Sequence, residues 1–182
     1  FFWVSRMLFQ GIEFTGKAPF KDIVIHGLIR DAQGRKMSKS LGNGIDPFDV
    51  IEQSGTDSLR YFLTTGGALG FDLNFNEQKI EAAWNYLNKV WNICRYVLMN
   101  IGDHEESEID VTKLNLASRA ILDKLNKVIR NVDYNFDKYE LGEAAKTLYN
   151  FVWNDFASWY VELSKVDLQG EDEANKLNTK NV

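Results

Sequence analysis

Two lysines and two serines alternate around a methionine in Lys36-Met37-Ser38-Lys39-Ser40, with glycines at Gly34, Gly42 and Gly44 and no acidic residue from Arg35 to Gly44. Ammonium groups supply charge, while hydroxyls and backbone N–H groups supply directed donors. Glycine lets the backbone come close, so such a loop can close over a polyphosphate. Taken alone, a short Lys/Ser loop is more often a solvated turn or a basic patch, and its flanks must decide.

The elements that would position this loop can be read from turn and cap chemistry. Asp31-Ala32-Gln33-Gly34 reads as a tight turn in which Gly34 can take positive φ, followed by a short return through Arg35-Lys36. Upstream, Asp22-Ile23-Val24-Ile25-His26 reads as a buried strand. Phe1 to Gln10 is apolar nearly all round, so a helix buried on several sides is expected there, with Gly11 placed to end it. Downstream, Asp46 precedes Pro47 as an N-cap before a first-turn proline, and Gly55 closes that helix. Thr56-Asp57 is then expected to cap a helix from Ser58 to Thr65, ended by Gly66-Gly67.

Beyond Leu73 the pattern changes to long amphipathic helices. Ile80, Trp84, Leu87, Trp91, Cys94 and Leu98 form one stripe at spacings of three and four. A second helix follows Asn115 with Ile121, Leu122, Leu125, Val128, Ile129 and Val132. The third is expected to start at Asp137, with Glu140 completing a capping box, and to bury Leu141, Ala144, Ala145, Leu148, Val152, Phe156, Trp159, Tyr160 and Leu163. Three such helices with short connections predict an antiparallel bundle. The acidic joint from Gly102 to Glu108 reads as a solvated loop, and the polar stretch after Gln169 as a frayed tail. On these stripes Trp84, Trp91, Trp153 and Trp159 read as core in preference to base-stacking platforms, and Cys94 as a buried, inert thiol.

At 182 residues and 45% hydrophobic, the chain can hold one or two domains with a sizeable core. A single cysteine excludes internal disulfides and a cysteine-rich zinc site, which suits a reducing cytoplasm. A net charge of −5 argues against a general nucleic-acid binder, so RNA contact would be local, with no DNA partner expected. The apolar start is interrupted by Arg6 and has neither the basic region nor the cleavage site of a signal peptide, and it is too short to span a membrane. A lone strand and covering helix cannot complete a sheet, so the chain reads as a piece whose sheet partners lie outside it. No metal-ligating cluster stands out.

The run Ile25-His26-Gly27-Leu28-Ile29-Arg30-Asp31-Ala32-Gln33-Gly34, leading into Arg35-Lys36-Met37-Ser38-Lys39-Ser40-Leu41-Gly42-Asn43, resembles the KMSKS signature loop of class I aminoacyl-tRNA synthetases. Phe1-Phe2-Trp3-Val4-Ser5-Arg6-Met7, Pro19-Phe20-Lys21-Asp22 and Gly44-Ile45-Asp46-Pro47 are similar to the valine-specific branch of that family, and the likeness continues more faintly to about Lys165. Asp57-Ser58-Leu59-Arg60 resembles the stretch that supports the catalytic loop there, although Arg60 by itself most simply pairs with a carboxylate.

The resemblance implies a mainly α chain: the remnant of a Rossmann-type α/β catalytic domain with its connecting helices over 1–72, a helical anticodon-binding domain over 73–168, and the tail 169–182. It implies ATP with Mg²⁺ as substrate, valine and tRNA(Val) as the other partners, and a monomeric parent enzyme. Lys39 is the first candidate for the catalytic cation and Lys36 the second. His26, Gly27, Leu28, Lys36, Met37, Ser38, Lys39 and Ser40 are the candidate ATP-binding set, although His26 could equally be a satisfied core histidine. Lys89, Asn92 and Arg95 are candidate tRNA contacts. The family's HIGH motif and editing region do not occur here, so catalysis by the isolated chain is not expected. Two alternatives stay open: an isoleucine-type relative with the same mechanism, and a chain that serves only as a tRNA-binding module.

Overall fold

In the computed structural model, residues 1–105 and 107–182 are described; Glu106, part of the expected acidic joint, lies outside the described residues. The apolar opening forms α1 (Phe2–Thr15), which runs through Gly11 and ends at Gly16, whose φ of 69° allows the left-handed cap that Gly11 was expected to supply. No residue of α1 is buried, against the expectation of a helix covered on several sides. Gly11 lies against the ring of Pro19, so its missing side chain serves close approach.

Residues Asp22 to His26 do not form the expected buried strand; Ile23, Val24 and Ile25 are exposed. Strand character shifts to β1 (Ile29–Arg30), because that is where a partner exists. It pairs in parallel with β2 (Leu73–Asn74), Ile29 in register with Leu73 and Arg30 with Asn74. Leu73 and Phe75 donate to the carbonyls of Leu28 and Arg30 at 2.9 and 2.8 Å. In the run 22–26 the Ile25 carbonyl accepts from the Gly70 N–H at 3.0 Å, but no ladder follows from that single bond.

Between the strands lie α2 (Pro47–Ser54) and α3 (Thr56–Thr65). Asp46 caps α2 by accepting from the Phe48 N–H, and Gly55, at φ 80°, turns the chain into α3. The expected Thr56-Asp57 cap does not form; Thr56 is already helical and no side chain caps α3. Val50, Leu59 and Phe62 meet Ile80 in one core cluster, with Leu73 and Phe75 packed against it. This cluster fixes the β1–β2 pair to the long helix that follows.

The bundle consists of α4 (Glu77–Ile101), α5 (Leu116–Asp137) and a rod built from α6 (Leu141–Tyr149), a wide helical stretch Asn150–Tyr160 and α7 (Val161–Gln169). Asn76 and Asn115 cap α4 and α5 by accepting from the N–H groups of Lys79 and Ser118. The buried face of α4 is Ile80, Ala83 and Tyr86, not the tryptophan stripe; Trp84, Trp91, Cys94 and Leu98 are exposed. Small Ala83 lets α3 approach, and the Tyr61 ring then meets that of Tyr86 at 5.1 Å, tilted by 37°. α5 continues through Asp137, so the expected capping box is absent. The corner is instead made by Tyr139 at φ 59°, with Glu140 as a cap that forms no side-chain bond.

The rod buries Ala144, Phe151, Ala157, Tyr160 and Val161 and leaves Trp159 exposed. In the wide stretch backbone bonds such as the Val161 N–H to the Phe156 carbonyl span five residues, which rotates the apolar face away from a strict 3.6 period. The tail is not frayed. Asp172 caps α8 (Glu173–Asn181), Thr179 is buried and donates to Asp167, and Asn181 ties down His104 and Ser107. Val182 packs on the Ile121–Phe151–Tyr160 cluster. Polar side chains dock this segment, so an apolar pattern could not reveal it.

Candidate functional site

The candidate loop hangs from a hairpin built by one carboxylate. Asp31 is 5% exposed, although the surrounding turn is open. Its Oδ1 accepts from the backbone N–H groups of Gln33 and Arg35 at 3.1 and 2.7 Å, and its Oδ2 accepts from Arg35 Nε at 2.7 Å and Asn43 Nδ2 at 2.8 Å. The Asp31 N–H meets the Arg35 carbonyl and the Gly34 N–H meets the Asp31 carbonyl. Gly34 sits at φ 77° and Arg30 bridges to Lys36, so the tight turn and return are as the residues imply. The amide of Asn43, with the Arg35 backbone and guanidinium, holds the Asp31 carboxyl down to about 2, against 3.8 ordinarily.

Above the turn the loop folds on its own polar atoms. Asn43 Oδ1 accepts from the Ser38 N–H at 2.9 Å, and its Nδ2 also reaches the Lys36 carbonyl at 3.3 Å. Ser38 Oγ accepts from the Leu41 N–H, capping a single 3₁₀ turn over Lys39–Leu41, and lies 3.2 Å from Ser40 Oγ. Gly42, at φ 60°, closes that turn by donating to the Lys39 carbonyl. Lys36, Lys39 and Ser40 are exposed, and Met37 and Ser38 are half-buried. Among the described residues neither lysine lies within ion-pair distance of a carboxylate, whereas Arg30 and Arg35 are paired with Asp72 and Asp31. The two arginines hold the frame and the two lysines remain available to a ligand.

The second carboxylate of the frame is Asp72. Its Oδ1 accepts from the Leu28 N–H at 2.8 Å and its Oδ2 from Arg30 Nε at 2.5 Å, and the Leu28 contact, ahead of Arg30, lowers its carboxyl below the usual range. Gly27 is pressed against the backbone of Phe71; a β-carbon there would stand 1.8 Å from the Phe71 oxygen. A close approach of two backbones thus requires glycine at this position.

His26, Gly27 and Leu28 are not brought together with Lys36 to Ser40. They precede β1, at its amino end, while the loop leaves its carboxyl end. The expected strand 22–26, which would have ended at His26, does not form. The exposed His26 donates through Nδ1 to the Gly27 carbonyl at 2.7 Å, so it is not a core histidine either. These three residues line an open cleft of about 1250 Å³, with Tyr61 from α3 and Tyr139, Lys146 and Tyr149 on its other walls. Burial drives the Tyr61 hydroxyl up to about 12.

The candidate RNA contacts on α4 separate as well. Lys89 is half-buried, its Nζ lying 3.9 Å over the Trp153 ring and 3.0 Å from Ser158 Oγ. Asn92 donates to the Asn88 carbonyl and side chain. Arg95 is exposed and has no carboxylate partner among the described residues. Asp31, Asn43 and Asp72 are the residues that sequence reasoning left without a role; an Asp opening a tight turn and an Asn twelve residues on were the available signal.

Among the described residues no group of three or more His, Cys, Asp or Glu side chains could hold a metal, and no helix is long and apolar enough to cross a membrane.

Residues 1–76 match the family described as tRNA synthetases class I (I, L, M and V), and residues 118–182 match the anticodon-binding domain of tRNA ligase. Along its whole length the chain is 58% identical to the valine–tRNA ligase of Bacillus cereus, 57% to that of Geobacillus stearothermophilus and 56% to that of Bacillus subtilis. It spans 21% of the length of each of these relatives. Among solved structures, an Agrobacterium radiobacter LeuRS–tRNA–LeuAMS complex aligns over 99% of this chain and 22% of its own, with a TM-score of 0.71 at 22% identity. Mycobacterium tuberculosis methionyl-tRNA synthetase with methionyl-adenylate aligns over 86% of this chain and 31% of its own, with a TM-score of 0.67 at 24% identity. These two likenesses concern the fold alone.

Proposed function

We propose that this chain, which belongs to the class I tRNA synthetase family, works within a cytoplasmic valine–tRNA ligase that activates valine with ATP and passes the valyl group to tRNA(Val). The observation that carries the reading is the stapled loop in which, among the described residues, Lys36 and Lys39 have no carboxylate partner while Arg30 and Arg35 are spent on the frame. Its donors are ammonium groups, hydroxyls and N–H groups, which suit phosphate oxygens. Mg²⁺ would accompany the triphosphate, since carboxylates of the loop frame are already engaged by Arg30, Arg35 and Asn43.

In the first step the valine carboxylate attacks the α-phosphate of ATP, and the bond to the departing pyrophosphate breaks as negative charge accumulates there. The protein's task is to position the reactants and to meet that charge as it grows. Lys39 is assigned to the pyrophosphate, and Lys36 to the phosphates and to fixing the loop. Ser38 and Ser40 supply hydroxyl donors, and the half-buried Met37 completes the ATP-binding set. His26, Gly27 and Leu28 are assigned to the adenosine end, which requires the cleft they line to be completed by further protein. In the second step the valyl group moves to the 3′ end of tRNA(Val), whose anticodon arm is assigned to the bundle beyond residue 73. Of the three candidates on α4, Arg95 is the one with an uncommitted side chain.

Two measurements test this. Pyrophosphate exchange by the full-length enzyme should depend on valine; equal support from isoleucine would overturn the valine assignment. Binding of this chain to tRNA(Val) at physiological salt should weaken by about 1 kcal/mol or more when an anticodon base is changed, the scale of one base-specific contact. Equal binding would remove the bundle from anticodon reading.

A further inference from the structure

We infer that Asn43 is a positioning residue for the phosphate-binding lysines: its one amide staples the loop at three points and so selects the conformer that presents Lys36 and Lys39. The inference rests on the reading of this loop as the ATP-phosphate site. Asn43 Nδ2 donates to Asp31 Oδ2 at 2.8 Å and to the Lys36 carbonyl at 3.3 Å, while Oδ1 accepts from the Ser38 N–H at 2.9 Å. The base of the hairpin, the first lysine and the first serine are thereby fixed to one planar group. The reverse orientation would face Oδ1 toward a carboxylate and a carbonyl and Nδ2 toward an N–H, so all three contacts would turn repulsive.

Beyond this staple, the ties found among the described residues are the Arg30–Lys36 bridge and the loop's own short-range bonds at Ser38, Leu41 and Gly42. Lys36, Lys39, Ser40 and Leu41 are exposed, Met37 is half-buried, and no residue of the 3₁₀ turn is buried. Without the staple, water can replace the bonds to Lys36 and Ser38, so the cost falls on the population of one conformer more than on the fold. Asp31 retains Arg35 and the hairpin turn in that case. A ligand that binds only the stapled conformer then sees an affinity reduced by the fraction of molecules in it.

The test uses the full-length enzyme and initial rates of valine-dependent pyrophosphate exchange. Asn43→Ala should raise the KM for ATP by about tenfold, as expected if the stapled fraction falls to one tenth, with the KM for valine and the thermal midpoint nearly unchanged. Asn43→Asp places a second carboxylate against Asp31 and should lower exchange further. Combining it with Asp31→Asn exchanges donor for acceptor across the same contact and should restore only part of the Asn43→Asp loss, because Arg35 Nε and the Lys36 carbonyl then face mismatched partners. An ATP KM within about twofold of wild type for Asn43→Ala, too small a change for one lost charge-assisted bond, would overturn the inference. Lys39→Ala measured alongside separates the two levels. If it too leaves exchange intact, the phosphate-loop reading has failed; if it abolishes exchange while Asn43→Ala does not, only the staple has failed.

Discussion

Between Phe1 and Asp49 one residue is buried, and it is the charged Asp31; from Glu77 onward the buried positions are mostly apolar, among them Ile80, Ala83, Ile121, Ala144, Phe151 and Val161. The first region is shaped by hydrogen bonds to two carboxylates and one amide, and the second by helix faces pressed together. Hydrogen bonds are directional and local, so they can hold a loop in one conformation while leaving its cations in water. Apolar contact is non-directional and needs area, which long helices provide. The difference shows which part is built for placing groups and which for holding shape.

Truncation of an apolar side chain should therefore act on the bundle alone. Phe151→Ala, in the cluster with Ile121 and Tyr160, should cost about 3–5 kcal/mol in denaturant unfolding. Amide shifts of Gln33, Arg35 and Ser38 should stay in place under conditions where the variant and the wild type are both folded. Shifts of those amides would mean that the loop depends on the bundle core.

Adding one carbon should do the converse. Gly27→Ala forces its β-carbon into the Phe71 carbonyl, and overpacking of that kind costs about 3 kcal/mol or less when the backbone can yield. Hydrogen exchange of Leu73 and Phe75, which donate across the β1–β2 pair, should accelerate while the amides of α5 keep their protection.

A smaller effect is expected at the seam between the regions. Lys89 lies over Trp153, which stacks on Tyr149 at 5.6 Å, and Tyr149 in turn meets Tyr86 at 4.8 Å. Lys89→Met removes the cation and keeps the stem, so a loss of about 1 kcal/mol in stability is expected, with tRNA binding unchanged. A fall in tRNA affinity without loss of stability would return Lys89 to the RNA contacts.

The mildest perturbation is acid. The amide of Asn43, with Arg35, holds the Asp31 carboxyl down to about 2 against its ordinary 3.8, so its contribution is present above pH 4 and is lost as pH falls from there through about 2. In an NMR titration the Gln33 and Arg35 amides should follow that low midpoint. A midpoint near 4 would show that Asn43 and Arg35 do not hold the carboxylate.

Short-range polar chemistry was the legible part of the sequence. The Asp31–Gly34 turn, the Asp46 cap before Pro47, the Gly55 break and the start of α5 after Asn115 all depend on residues within a few positions of one another. Partner choice was not legible. The run 22–26 has the composition of a strand but no ladder, and residues 29–30 form one because Leu73 comes alongside. On α4 two adjacent apolar faces compete, and the bulkier one, with Trp84 and Trp91, lost to the face where Ala83 admits α3. Asp137 and Glu140 satisfied a capping pattern that the Tyr139 corner overrode. Within the site the lysines were named from their own pattern, whereas Asn43 acquired its role only once the hairpin placed it 2.8 Å from Asp31.

The account stands most directly on Lys39. In the full-length enzyme, single-turnover formation of valyl-adenylate by Lys39→Ala should fall about 10²–10³-fold, the usual consequence of removing one transition-state donor, while affinity for tRNA(Val) stays as in the wild type. A fall smaller than about tenfold, below what such a donor contributes, would contradict the assignment of this loop to the departing pyrophosphate.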